Sequence, residues 1–120
     1  MGFFESKEVK QRKAELSLNP NDPAAHFNLG AAYDKAGKTR EAVKEFEETI
    51  KIHSNSAEAH FNLGVLYESL GEGEKAIRHI LKAGNLFGER DDSVNKMESR
   101  RLLKDFYRKF GFKPGEKEFE

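Results

Sequence analysis

Four histidines are the residues whose type most invites chemistry: His26, His53, His60 and His79. An imidazole can shuttle a proton near neutral pH or ligate a metal. Their spacing serves neither role. No two lie four residues apart and there is no HExxH, the pattern that sets two imidazoles on one helix face around zinc. The chain has no cysteine, so thiol nucleophiles, disulfides and thiolate metal sites are excluded. The stretch GEGEKA at Gly71–Ala76 has the glycines and lysine of a phosphate loop but not the G-x-x-x-x-G-K-[ST] spacing. With no catalytic constellation, the expectation is a protein that is not an enzyme and carries no cofactor or metal. What the histidines do share is context. His26 and His60 both sit in AHFNLG, at Ala25–Gly30 and Ala59–Gly64, 34 residues apart.

That offset organises the chain. Aligning 23–56 with 57–90 makes nine positions identical: the six quoted residues, Tyr33/Tyr67, Gly37/Gly71 and Ala42/Ala76. Val43/Ile77, Lys44/Arg78, Phe46/Ile80 and Ile52/Leu86 are similar pairs. A fixed period of this length points to stacked supersecondary units. The units read as helical. His26, Leu29, Gly30 and Tyr33 fall at i, i+3, i+4, i+7 and share one helix face, as do His60, Leu63, Gly64 and Tyr67. Ala42, Val43, Phe46 and Ile50, and then Ala76, Ile77, Ile80 and Ala83, mark a second helix in each unit. The short links at 37–39 and 71–73 make each pair antiparallel. Glycine within a helix costs roughly 1 kcal/mol against alanine. At Gly30 and Gly64 that cost is offset if the bare backbone lets the partner helix approach, with Ala42 and Ala76 as the expected neighbours.

The pattern His26, Leu29-Gly30, Tyr33, Ala42, Phe46, repeated as His60, Leu63-Gly64, Tyr67, Ala76, Ile80, resembles the tetratricopeptide repeat. His stands where the family favours Trp, and Ser54 and Gly88 stand where it favours a closing Pro. The resemblance implies an all-α solenoid of stacked antiparallel helix pairs with about six helices. Shifting back by 34 makes residues 5–20 the second helix of a partial repeat, with Val9, Leu16 and Leu18 aligned to Val43, Ile50 and Ile52. Shifting forward makes 93–110 a C-terminal capping helix. There Val94 and Met97 take the places of His60 and Leu63, while Glu98 and Arg101 replace Gly64 and Tyr67, so the face that would receive a further helix turns polar. The expected organisation is one domain over 1–120: partial repeat, repeat 1 at 23–56, repeat 2 at 57–90, cap, and a flexible tail at 111–120. Two full repeats fall short of the usual three, so flanking helices or a second copy must cover the core. This leaves homodimerisation open.

Each first helix carries a second stripe: Ala24, Phe27, Asn28, Ala31 and Lys35, then Glu58, Phe61, Asn62, Val65 and Ser69. The resemblance implies that this stripe lines a concave groove for an extended peptide or partner helix. The candidate site is Phe27, Asn28, Ala31, Lys35, Phe61, Asn62, Val65 and Ser69, with Lys96 from the cap. A side-chain amide both donates and accepts, which suits pairing with peptide backbone. The plainer alternative is that Phe27 and Phe61 only fill space between helices. One subclass of the family grips C-terminal carboxylates. That clamp would need basic residues at positions 27, 92 and 96 and Asn at 31 and 62. Here Phe27, Ala31 and Asp92 break it and only Asn62 and Lys96 fit. An apolar peptide or helix is the better-suited ligand.

The cap holds a second signal. Lys96, Arg100, Lys104 and Arg108 recur every four residues with Arg101 beside them, and 96–113 contains seven basic and two acidic side chains. This is either a solvated helix face or a docking strip for an acidic protein, nucleic acid or membrane surface. Across the chain 21 basic and 21 acidic residues cancel, so whole-chain charge does not point to nucleic acid. No apolar run is long enough to span a bilayer. MGFFESKEVK lacks the basic start and apolar stretch of a signal peptide. Gly2 and Ser6 fit the loose N-myristoylation pattern, which a plain helix entry also explains. A cytoplasmic protein with a protein or peptide partner is expected, with nucleic acid and membrane as the lesser alternatives.

Overall fold

The computed structural model describes residues 5–115. Gly2 of the myristoylation pattern and residues 116–120 of the expected tail lie outside them. The described residues form six helices and no strand: α1 Lys7–Leu18, α2 Pro23–Lys35, α3 Thr39–Ile52, α4 Ala57–Ser69, α5 Gly73–Glu89 and α6 Ser93–Phe110. They divide into two compact units, the first ending at Ser54 and the second beginning at Asn55. None of the helices is long and apolar enough to cross a membrane.

Local chemistry sets the helix ends. Side-chain oxygens of Ser6, Asp22, Ser56 and Asp92 cap α1, α2, α4 and α6 by accepting from the backbone N–H of Val9, Ala24, Ala59 and Asn95. Pro23 adds its fixed φ to the first turn of α2. The first helix of each pair ends in the same way. Gly37 and Gly71 both take φ +76°, which only glycine adopts without strain. Around them Lys38 N–H donates to the Tyr33 carbonyl and Glu72 N–H to that of Tyr67, both at 2.9 Å. The α5–α6 joint repeats this geometry with Asp92 N–H on the Phe87 carbonyl, but Asp91 holds the left-handed position at φ 58°.

In the first unit α2 packs between α1 and α3. Val9 of α1 buries against Leu29 and Ala32 of α2, with Leu16 and Tyr33 alongside. Beside that contact on α2, a Cβ at Gly30 would meet the buried Phe46 ring at 3.0 Å. The nearest atoms are those of Phe46, one turn along α3 from Ala42, which is itself fully buried. In the second unit α5 is central. A Cβ at Gly64 would meet Ile80 Cδ1 at 3.0 Å and the Ala76 carbonyl oxygen at 3.2 Å, so Ala76 does approach, through its backbone. Leu63, Ala76, Ile77 and Ile80 are fully buried around this contact.

The cap packs in a register the repeat did not foretell. Val94 and Met97, aligned with the buried His60 and Leu63, are 78% and 70% exposed. The buried face is Ser99 and Phe106. Helix α6 runs antiparallel to α5: Lys96 lies over Gly88, Ser99 over Gly84 and Phe110 over Gly73. The shift by 34 carries Val94 and Met97 onto a face meant for a following helix, and no helix follows among the described residues. What seats α6 instead is bare backbone on α5. Gly84 and Gly88 stand where repeat 1 has Ile50 and Ser54, and α5 runs on through Gly88 to Glu89.

Candidate functional site

The stripe residues divide into those the fold uses and those it leaves available. In the first unit Phe27 meets the Phe46 ring edge-on, centroids 5.2 Å apart, so much of its area is spent on its own helix pair. Lys35 donates to Glu8 of α1 at 3.2 Å. Ala31 is half-buried. In the second unit Phe61 packs on Ala57, Ala83, Leu86 and Phe87, with the Phe87 ring edge-on at 6.3 Å. Val65 is 40% exposed. The Ser69 hydroxyl turns back to the Leu66 carbonyl at 2.8 Å. Asn28 and Asn62, at equivalent positions, are both half-buried, and neither amide has a hydrogen-bond partner among the described residues. A half-buried amide with open valences favours an incoming polar group, because water meets it only partly.

Lys96 is placed elsewhere. Its stem crosses Gly88, and it lines a cleft between α5 and α6 with Arg100, Ser99 and Leu103 facing Leu81 and Asn85. The remaining basic side chains of α6 sort by partner. Arg101 is tied down by Glu98 at 2.6 Å and Asp105 at 3.1 Å. Lys104 and Arg108 are exposed and, like Arg100, unpaired among the described residues.

One polar cluster was not anticipated. His26 and His60 occupy the aromatic position of their repeats, yet each makes a polar pair. His26 Nδ1 lies 2.9 Å from Glu45 Oε1 and its Nε2 lies 2.8 Å from the Pro20 carbonyl oxygen. Two acceptors call for N–H on both ring nitrogens. Burial opposes that charge, but the hydrogen bonds to Glu45 and Pro20 and the charges of Glu45 and Glu48 outweigh it, and the His26 pKa is raised. In the second unit His60 Nδ1 lies 3.0 Å from Nδ1 of His79. The rings stack 5.2 Å apart, Tyr67 stacks on His79 at 5.5 Å, and the Lys75 ammonium lies over Tyr67. Burial first, then the charges of His60 and Lys75, push the His79 pKa down to about 4. The signal was present in the sequence: His79 is Glu45 shifted by 34. Among the described residues no three His, Cys, Asp or Glu side chains group as metal ligands.

Comparison with known proteins fits this architecture. A TPR repeat model matches residues 35–71, and two tetratricopeptide repeat models match 14–44 and 59–85. No curated protein sequence matches the chain. Among solved structures, the fold is similar to the Yersinia enterocolitica type III secretion translocator chaperone SycD. That match has 17% identity and a TM-score of 0.80, covering 84% of this chain and 70% of that one. It is similar also to PcrH, solved in complex with the chaperone binding region of PopD, at 17% identity and TM-score 0.79, covering 84% and 77%. A MamA structure matches at 21% identity and TM-score 0.61, covering 88% and 67%. The 34-residue period, the twin Leu-Gly-x-x-Tyr cores and the matched models together place the chain in the tetratricopeptide repeat family.

Proposed function

We propose that the chain is a non-enzymatic interaction module, a scaffold or adaptor that holds a peptide or helix of a partner protein on the first-helix stripes of its repeats. The observation that carries this reading is the pair of equivalent amides, Asn28 and Asn62, half-buried and without internal partners. Each can donate to and accept from a backbone laid beside it. Ala31 and Val65 beside them offer apolar contact. PcrH, whose fold this chain shares at low identity, is solved with a polypeptide region bound, which supports a polypeptide as the ligand class. Because Phe27 and Phe61 are engaged by Phe46 and Phe87, the amides are expected to set register and the aromatics to give the surface its shape.

The test is a pull-down from native lysate at low and moderate salt, with wild type beside an Asn28→Ala, Asn62→Ala variant whose helicity is first matched by circular dichroism. Partners that survive salt and vanish with the variant support the stripe as the site. Partners that the variant retains refute it.

A further inference from the structure

We infer that α6, from the edge of its cleft with α5 outward, is a second binding surface, for an acidic polypeptide segment that sets carboxylates along Arg100, Lys104 and Arg108 and an apolar side chain in the cleft beside Arg100. The fold has sorted the basic residues of α6. Arg101 is consumed by Glu98 and Asp105, and Lys109 by Glu68 at 2.8 Å. Lys96, Arg100, Lys104 and Arg108 keep no ion pair among the described residues. These four recur every fourth residue, so their line rises about 18 Å along the helix and turns about 120° round it, from the cleft edge at Lys96 to the outer face at Arg108. Both acidic residues of α6 are taken up by Arg101, and neither quenches the line.

The cleft decides the kind of anion. Lys96 and Arg100 rim a hollow whose apolar walls are Leu81 of α5 and Leu103 of α6, both half-buried. Carboxylates spaced a helical turn apart, with a leucine-like side chain between them, satisfy cations and hollow together. A nucleic acid backbone would gain little. The whole chain balances 21 basic against 21 acidic residues, so there is no broad positive field to hold a polyanion. A second copy is no better matched. On α3, the helix richest in acid, Glu45 is held by His26 and Glu48 by Lys51, and Glu41 alone is exposed without an ion pair among the described residues, too little for a row of cations.

Fluorescence anisotropy tests this with the full chain and four labelled probes. The first is a peptide of about 15 residues, long enough to span the line, with Glu at every fourth position and Leu between. The others are the same peptide with Gln for Glu, single-stranded RNA of similar length, and vesicles containing phosphatidylserine. The Glu/Leu peptide is expected to bind, and the Gln version to bind at least tenfold more weakly. The variant Arg100→Gln, Lys104→Gln, Arg108→Gln changes exposed side chains only. It is expected to lose about tenfold to a hundredfold in affinity for the Glu/Leu peptide, from three exposed pairs. Arg101→Gln, which removes one charge of the same kind that is already engaged, is expected to leave the affinity unchanged, where undirected charge would cost about twofold to fivefold, a third of the triple variant's loss on the logarithmic scale. A loss from Arg101→Gln equal, per charge removed, to that of the triple variant would overturn the inference, since undirected charge would then explain binding. Tighter binding of RNA or vesicles would overturn the choice of occupant, and no binding of the Glu/Leu peptide would overturn the site.

Discussion

Acidification should loosen the second unit through one side chain, His79. Its folded pKa is pushed down to about 4 from an ordinary 6.5, by burial and by the charges of His60 and Lys75. Between those values the unfolded chain carries a proton that the folded chain refuses. Stability therefore rises with pH across that window and is lost as pH falls from about 6.5 toward 4. A gap of about 2.5 pH units, at ~1.36 kcal/mol each, corresponds to about 3 kcal/mol. The assay is amide hydrogen exchange of Leu63, Leu66, Ile77 and Ile80, buried in α4 and α5, followed from pH 7 to 4.5 after correction for intrinsic exchange. The variant His79→Glu restores the carboxylate that repeat 1 carries at Glu45 and should remove most of the acid loss, and His79→Gln should remove the protonation without adding charge. A His79 imidazole that titrates by NMR near 6.5 would refute the reasoning. So would wild type and both variants losing protection in parallel, since the acid loss would then lie with carboxylates elsewhere. His26 carries the opposite sign. Its pKa is raised by Glu45 and the Pro20 carbonyl against the cost of burial, so its contribution is full below 6.5 and fades as pH climbs through the raised value.

Further outcomes follow from backbone and packing. Asp91 pays for a left-handed conformation at φ 58°, so Asp91→Gly should stabilise the chain by about 0.5–1 kcal/mol, read as a higher denaturation midpoint. Gly64→Ala would press a methyl against the Ala76 carbonyl oxygen and the Ile80 backbone nitrogen, both at 3.2 Å; backbone yields poorly, and a loss of about 1–3 kcal/mol is expected in urea titrations. Gly30→Leu should cost more, at the upper end of that ~1–3 kcal/mol range or beyond it, because the fully buried Phe46 ring has nowhere to retreat. If Gly30→Leu folds with wild-type stability, the close-approach account of the Leu-Gly core fails.

The helices and turns of both pairs were legible because the same letters recur: Gly37 and Gly71 sit in turns of identical hydrogen bonding, and one motif implied the other. The face of α6 was not. Periodicity transfers a residue's place in the repeat but not its partner, and Val94 and Met97 inherit a face without one. The real determinant, glycine at 84 and 88 in place of Ile50 and Ser54, lies on the opposing helix and acts only once Ser99 and Lys96 are laid against it. At the candidate site, the position of Asn28 and Asn62 could be read from spacing. The engagement of Phe27 and Phe61 by Phe46 and Phe87 could not, since helical spacing does not say which of two faces wins a large ring. The His60–His79 pair was within reach by applying the shift to Glu45, yet a histidine judged by its sequence neighbours alone reads as solvated.

The order of packing has a kinetic consequence. Within each unit, helices that are neighbours in sequence pack: α1 on α2 and α2 on α3 in the first, α4 on α5 and α5 on α6 in the second. Three-residue turns such as Ala36–Lys38 close the loops within the pairs, so little chain entropy is spent before contacts form. Chains of such low contact order fold in roughly microseconds to milliseconds. Either unit can nucleate first, and zipping outward from the glycine turns never has to wait for a distant segment to arrive.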